Sequence, residues 1–395
     1  MADRSATPAA ERVHIAFFGR RNAGKSSLIN ALTGQELAIV SDVAGTTTDP
    51  VSKAMELLPL GPVVLIDTAG LDDEGELGAQ RVQRSMRELE RVNLVLLVLD
   101  GDAAVSPEER ALLDACEARN IAYLLVRNKS DLAENKETGD GAVWVSARTG
   151  ANIGALRERI ASLAQEEPPR PPIIADLLSP GDLVVLVTPI DASAPKGRLI
   201  LPQQQTIRDI LDAGGQALVT KEDALEAAFS RLRERPRMVV TDSQAFAQVA
   251  AVTPPDVPLT SFSILFARHG GVLKQAAAGA AHIDSLRDGD AVLISEGCTH
   301  HRQCEDIGTV KLPRWISRYT GKELRFAYSS GNSFPDDLRP YRLVVHCGAC
   351  MLPPRALQSR LRQAVLQGVP MTNFGILIAQ MKGILQRSLE VFPSL

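Results

Sequence analysis

Residues 13–27 read V-H-I-A-F-F-G-R-R-N-A-G-K-S-S: an apolar run, a glycine-bounded basic loop and the start of an amphipathic stretch. Gly19 to Ser26 fits the spacing G-x-x-x-x-G-K-S between a strand and a helix, the context in which this motif cradles phosphate. Glycines at both ends let successive backbone N–H groups turn inward on phosphate oxygens, and the helix starting near Lys25 adds its positive end. Gly19 and Gly24 supply that freedom, with Asn22 and Ala23 between them. Lys25 is expected on the β- and γ-phosphate oxygens and Ser26 on Mg²⁺, with Ser27 completing the phosphate-side set.

Working outward, short apolar runs alternate with helix-like stretches: VVLIDTAG, NLVLLVLD, IAYLLVRNKSD and AVWVSA follow in turn. Continuous apolar runs separated by crossover-length segments predict buried parallel strands, hence a doubly wound α/β domain. DTAG at 67–70 ends one such strand, so Asp67 can hold Mg²⁺ through water and Gly70 can offer its N–H to the γ-phosphate. NKSD brings Asn128, Lys129 and Asp131 to the end of another. A carboxylate at Asp131 accepts from the N1–H and amino group of guanine, which adenine does not present, so the expected nucleotide is GTP.

These segments resemble the translation-factor-like small GTPases over about residues 13–165. In that pattern Ser146 and the Ala147 backbone, in SAR at 146–148, close over the base. The segment DVAGTTTDP (42–50) is similar to the GTTRDP of the branch containing tRNA-modification and ribosome-assembly GTPases, which aligns Thr47 with the Mg²⁺-sensing threonine. Leu71 stands where Ras-like proteins orient water with glutamine. That branch compensates with K⁺ held partly by a phosphate-loop asparagine, here Asn22, so the resemblance implies slow, potassium-stimulated hydrolysis.

At 395 residues and about 100–200 per domain, the chain holds several domains. QEEPPRPPI (165–173) is the clearest linker and TPPDVPLTSFS (253–263) a softer break, giving expected domains at 1–167, 174–258 and 259–395, all α/β. No internal repeat is apparent, and the three units read as unlike. A net charge of −4 offers no bulk attraction for nucleic acid or membrane, and no apolar run approaches the roughly 20 residues of a span, so a cytoplasmic protein is expected.

Four of the five cysteines lie in the last quarter. CTHHRQCEDIG (298–308) and YRLVVHCGAC (341–350) both terminate strand-like runs. If those strands are neighbours in one parallel sheet, Cys298, His300, His346, Cys347 and Cys350 converge at the edge where such sheets bind ligands. A structural zinc closed by three thiolates and a histidine fits this spacing, and a redox pair at Cys347 and Cys350 fits it less well. Cys304 is an uncertain neighbour. His301 and His269 read as supporting or surface residues, and Cys116 as a small buried one.

A small GTPase, a central α/β domain and C-x-H followed by H-C-x-x-C together resemble the HydF family, the GTPase scaffolds of FeFe-hydrogenase maturation. That resemblance implies a central dimerisation domain and a C-terminal domain binding a 4Fe-4S cluster on Cys298, Cys347 and Cys350. It implies an exchangeable non-cysteine ligand such as His300 or His346, and a transient di-iron precursor delivered to apo-FeFe-hydrogenase alongside radical-SAM maturation enzymes. The alternative is a zinc-binding GTPase of tRNA modification or ribosome assembly.

Overall fold

The structure, a computed structural model, describes residues 11–34, 50–73, 75–133, 141–164, 170–190, 199–297, 307–331, 333–349 and 352–392. They belong to two compact units, Met1–Pro168 and Pro169–Leu395.

The first unit runs β1 (Val13–Phe18), α1 (Lys25–Thr33), β2 (Val51–Leu57), β3 (Gly61–Asp67), α2 (Gly75–Arg87), β4 (Leu94–Asp100), α3 (Pro107–Ala118), β5 (Ala122–Asn128), β6 (Val143–Trp144) and α4 (Ile153–Ala164). Its sheet has the order β2-β3-β1-β4-β5-β6, parallel except for β2. Alternate residues of one strand feed two cores: Ile15 and Phe17 pack on one face, Ala16 and Phe18 on the other. This two-faced burial explains why the strands are apolar runs rather than alternating ones. All parallel strands end on one edge, which brings together Gly19, Asp67, Asp100 and Asn128.

The second unit contains β7 (Leu183–Val187), α5 (Leu201–Asp212), β8 (Gln216–Thr220), α6 (Leu225–Arg231), β9 (Met238–Thr241), α7 (Phe246–Val252), β10 (Leu259–Ser261) and α8 (Phe262–His269). There follow α9 (Leu273–Ala280), β11 (Ala291–Glu296), α10 (Leu312–Thr320), β12 (Arg325–Ser330), β13 (Leu343–His346), α11 (Pro354–Leu366), β14 (Met371–Asn373), α12 (Phe374–Met381) and α13 (Leu385–Leu389). They build two parallel four-stranded sheets, β10-β9-β7-β8 and β12-β11-β13-β14, inside one continuous apolar core. β10, at 259–261, completes the first of these sheets just beyond residue 258, where the sequence places its softer break.

The absence of a repeat is corrected here, because β7, β8, β9 and β10 correspond in order and pairing to β11, β12, β13 and β14. The match extends to single bonds. Asp182 accepts from the Ser179 N–H as Asp290 does from that of Arg287, both at 2.8 Å, and each aspartate sits 3.8 Å from an arginine, Arg237 or Arg342. Ser261 caps α8 through the Ile264 N–H, and Asn373 caps α12 through that of Ile376. VPLTSFSILFARHGG (257–271) and VPMTNFGILIAQMKG (369–383) are identical at eight of fifteen positions. Elsewhere the loops differ in length and the shared signal is only strand and helix periodicity, which any α/β segment carries.

The halves meet about equivalent residues. A Cβ on Gly375 would lie 2.3 Å from Cβ of Ser263, its counterpart, so only glycine permits this approach. Each half also lends its last helix to the other: α9 packs on β14, where a Cβ on Gly279 would lie 2.1 Å from the Met371 carbonyl oxygen, and α13 packs on β10. The Arg387 guanidinium of α13 donates to the carbonyls of Thr253, Pro254 and Val257.

Candidate nucleotide and metal sites

The loop after β1 has the backbone its glycines predict. Gly19 has φ +145° and a Cβ there would strike the Val98 carbonyl at 2.2 Å; Gly24, with φ +89°, caps α1 against the Asn128 side chain. Asn22 also lies in the left-handed region, at φ 59°. Lys25 donates to the carbonyls of Gly19 (3.0 Å) and Arg20 (2.9 Å), which fixes its ammonium at the loop mouth. Burial lowers its pKa while Asp67, Asp72, Asp73 and Glu109 pull it back up.

Ser26 donates to Oδ2 of Asp67 at 2.5 Å, and Oδ1 of Asp67 is buried without a hydrogen-bond partner. Burial raises the pKa of this carboxyl, against the Ser26 hydrogen bond and Lys25. A buried orphan carboxylate oxygen beside a hydroxyl is the donor set a hard divalent cation takes, so Ser26 and Asp67 fit Mg²⁺. Thr47, the expected third Mg²⁺ contact, lies outside the described residues. Gly70 packs on the loop so closely that a Cβ would lie 2.5 Å from Cγ of Arg21.

On the base side, Asn128 joins two parts of the site, donating to the Ala23 carbonyl at 3.1 Å and accepting from the Ala147 N–H at 3.0 Å. Ser146 donates to Oδ1 of Asp131 at 2.5 Å, and Lys129 pairs with Asp100 at 2.7 Å. The structure therefore brings together the phosphate loop, Asp67, Gly70, Asn128, Asp131, Ser146 and Ala147. Ser27 follows Ser26 in the first turn of α1.

Sequence reasoning missed two supports. The Asp72 carboxylate accepts from the Arg21 N–H at 2.6 Å, and Asp73 lies 3.7 Å from the Arg21 guanidinium, so the residues after DTAGL hold the phosphate loop. Glu109 closes the capping box of α3 with Ser106 while accepting from Arg20 at 3.3 Å. The paired acids in LDD and the S-x-x-E spacing were the available signals.

In the second unit β11 and β13 are parallel neighbours, with Ser295 opposite His346. Their connections leave in opposite directions, to β12 and to β14, so their carboxyl ends form a switch point of the kind that binds ligands. Cys347 lies there, its sulfur accepting the N–H of Gly297 at 3.0 Å and of Ala349 at 3.4 Å. These two backbone donors fix the sulfur at the carboxyl ends of the strands. Cys298, His300, His301, Cys304 and Cys350 lie outside the described residues, and among the described ones no three His, Cys, Asp or Glu side chains converge as a metal site.

His346, a candidate ligand, is engaged on both ring nitrogens by the protein in this structure. Its ring is fully buried, Nδ1 lies 2.8 Å from the Cys347 carbonyl and Nε2 lies 2.8 Å from Nη1 of Arg360. His269 rests by Nδ1 on the Pro171 carbonyl, and Cys116 is buried in α3 with its thiol pushed up to about 12 by burial.

Comparison with known proteins bears on this pairing of sites. Residues 14–129 match the family described as 50S ribosome-binding GTPase. Residues 173–271 match the hydrogen maturase F dimerization domain, and residues 274–391 its tetramerization domain; these two span more than half the chain. The chain belongs to the HydF family. Its first unit carries the GTPase domain and its second unit consists of the family's dimerization and tetramerization domains.

The tRNA modification GTPase MnmE of Dichelobacter nodosus is 41% identical over 158 residues, 38% of this chain and 35% of that protein. MnmE of Nitrosospira multiformis is 35% identical over 166 residues, covering 40% and 36%. The chain thus spans little more than a third of the curated relatives it matches. Among solved structures, Era in complex with MgGDPNP and 16S ribosomal RNA covers 53% of this chain and 91% of its own at 20% identity and TM-score 0.35. The G domain of the T. maritima FeoB iron transporter covers 39% and 99% at 29% identity and TM-score 0.29. Among the described residues no helix is long and apolar enough to cross a membrane.

Proposed function

We propose that this HydF-family chain is a GTPase and carrier in FeFe-hydrogenase maturation, holding a 4Fe-4S cluster on Cys298, Cys347 and Cys350. One observation carries the reading: the two cysteine-bearing segments leave neighbouring strands β11 and β13 at a switch point, with the Cys347 sulfur already met by two backbone N–H groups. The spacing C-x-H…H-C-x-x-C gives three thiolates, which leaves one iron for an exchangeable ligand such as His300. When bound, the cluster supplies an open corner beside which a di-iron precursor, the cargo, rests before transfer to apo-hydrogenase.

The protein's own contribution is positioning. Gly297 and Ala349 orient the Cys347 sulfur, and His346 holds the Cys347 carbonyl from behind. In the GTPase unit, Lys25 and the Gly70 N–H neutralise the γ-phosphate, Ser26 and Asp67 hold Mg²⁺, and Thr47 joins them in the GTP state. Asn22 contributes to a K⁺ site in place of the glutamine that Leu71 replaces, so turnover is slow and potassium-stimulated. Hydrolysis biases partner exchange, with apo-hydrogenase and radical-SAM maturation enzymes as partners in the cytoplasm.

Three functional segments, GTP-binding, central dimerising and C-terminal cluster-binding, make up the chain in this reading. The tRNA-modification alternative finds likeness only in the GTPase segment. Purification without oxygen tests the proposal: iron and acid-labile sulfide should accompany the wild type and be lost in Cys347→Ser, with GTP hydrolysis retained. Zinc in place of iron would overturn it.

A further inference from the structure

The contact between Asp72 and the phosphate loop bears on which nucleotide the first unit prefers. Such a loop holds phosphate oxygens through its backbone N–H groups. One of them, the N–H of Arg21, already has an anionic partner in this structure. It donates to Oδ1 of Asp72 at 2.6 Å, short as hydrogen bonds to a carboxylate are. The acceptor comes from the segment that leaves β3 after Asp67 and Gly70, 51 positions further along the chain.

The same oxygen lies beside Gly70. A Cβ built on Gly70 would lie 2.9 Å from Oδ1 of Asp72 and 3.0 Å from the Arg21 nitrogen. Gly70 is the residue whose N–H is expected on the γ-phosphate, so the carboxylate oxygen stands next to both backbone groups, one from the loop and one from DTAG, that close on the third phosphate. Two further contacts keep the segment there: the Leu71 N–H donates to the Gly19 carbonyl at 3.2 Å, and Asp73 lies 3.7 Å from the Arg21 guanidinium. Asp72 itself is exposed, so its departure from the loop disturbs no core.

The α- and β-phosphates, which GDP and GTP share, rest on the loop N–H groups and Lys25. Only GTP brings a further anion to the place beside Arg21 and Gly70, and like charges at hydrogen-bonding distance repel. We infer that Asp72 is a specificity-determining residue: its carboxylate stands in for the γ-phosphate on the Arg21 N–H, so GTP binds by displacing it whereas GDP binds alongside it. Displacement frees Leu71 to Asp73 from the loop and lets Gly70 turn its N–H to the γ-phosphate. Once phosphate has left, the carboxylate returns to the Arg21 N–H. The inference rests on the GTPase reading of the first unit and adds the residue that discriminates between its two nucleotides.

Equilibrium binding of GDP and of a non-hydrolysable GTP analogue, each with Mg²⁺, to the full chain tests it. Asp72→Ala should bind the analogue about 3- to 10-fold more tightly than the wild type, the worth of the hydrogen bond that no longer has to be broken. Its affinity for GDP should be unchanged, which also reports correct folding. Asp72→Asn, which keeps an acceptor without the charge, should fall between the two. Asp73→Asn removes the neighbouring charge and leaves Asp72 on the Arg21 N–H, so its ratio of the two affinities should stay close to that of the wild type. A gain for the analogue as large in Asp73→Asn as in Asp72→Ala would assign the effect to diffuse charge and overturn the inference. Equal tightening of GDP and the analogue, or no gain in either Asp72 variant, would overturn it as well. A wild type that binds neither nucleotide would overturn the GTPase reading beneath it.

Discussion

Arg360 holds Nε2 of His346 at 2.8 Å, while Nδ1 of the same ring lies 2.8 Å from the Cys347 carbonyl. Because a guanidinium only donates, Nε2 is the acceptor and Nδ1 carries the proton. Burial first, and Arg360 second, hold the ring neutral with a pKa down to about 3. His346 therefore supports the Cys347 carbonyl through Nδ1 and receives Arg360 on Nε2. His346→Gln, which can still donate to the carbonyl, is expected to keep the iron content of the wild type; a loss as complete as that of Cys347→Ser would assign His346 as a ligand.

Asp131 is held by the Ser146 hydroxyl at 2.5 Å. Asp131→Asn replaces an acceptor with a donor and should weaken GTP binding about 10- to 100-fold, the worth of a charged hydrogen bond. Xanthosine triphosphate, with a carbonyl in place of the amino group, should be the better substrate of the variant. Competition between the two nucleotides in a hydrolysis assay measures this, and an unchanged preference for GTP would remove Asp131 from base recognition.

How much of this was legible in the sequence depended on range. Gly19, Gly24, Lys25 and Ser26 announce themselves because the phosphate loop is local chemistry within eight residues. Asp67, Asp131 and Cys347 were readable as strand-end residues, since parallel strands deliver their carboxyl ends to one edge. Arg360 was not, because a mid-helix arginine in α11 gives no sign that it turns inward to a histidine fourteen positions earlier. The duplication was hidden for the converse reason. Its strongest identity, 257–271 against 369–383, falls on the segments that pack the halves together, while the strand ends have diverged from Thr241-Asp242 to His346-Cys347.

The α9 contact on β14 gives a test of the reciprocal packing. Gly279→Ala would put a methyl 2.1 Å from a backbone carbonyl that cannot step aside, so a loss of about 1–3 kcal/mol is expected in chemical unfolding. Gly154→Ala, whose Cβ meets nothing within 4 Å, serves as a control and should be neutral or slightly stabilising. Equal effects of the two would deny that α9 is seated as described.

His14 titrates against stability in the first unit. Its ring is buried, and burial, against the hydrogen bond to Arg12, lowers its pKa from 6.5 to about 4. Between these values the unfolded chain binds more protons, so stability is fully present above pH 6.5 and drains as pH falls toward 4, by about 3 kcal/mol at most. His14→Gln should be less stable at pH 8 yet lose less on acidification; parallel pH profiles of the two would show that the ring does not titrate there.

A second unit that holds its proposed cluster independently of GTP turnover keeps its iron when hydrolysis is lost. Iron and acid-labile sulfide, measured on wild type and Lys25→Ala purified without oxygen, test it most directly. Both proteins should be brown, with about four iron and four sulfide per chain, and only Lys25→Ala should fail to hydrolyse GTP. A colourless protein holding one zinc per chain, unchanged by reconstitution with iron and sulfide, would rule out the 4Fe-4S assignment.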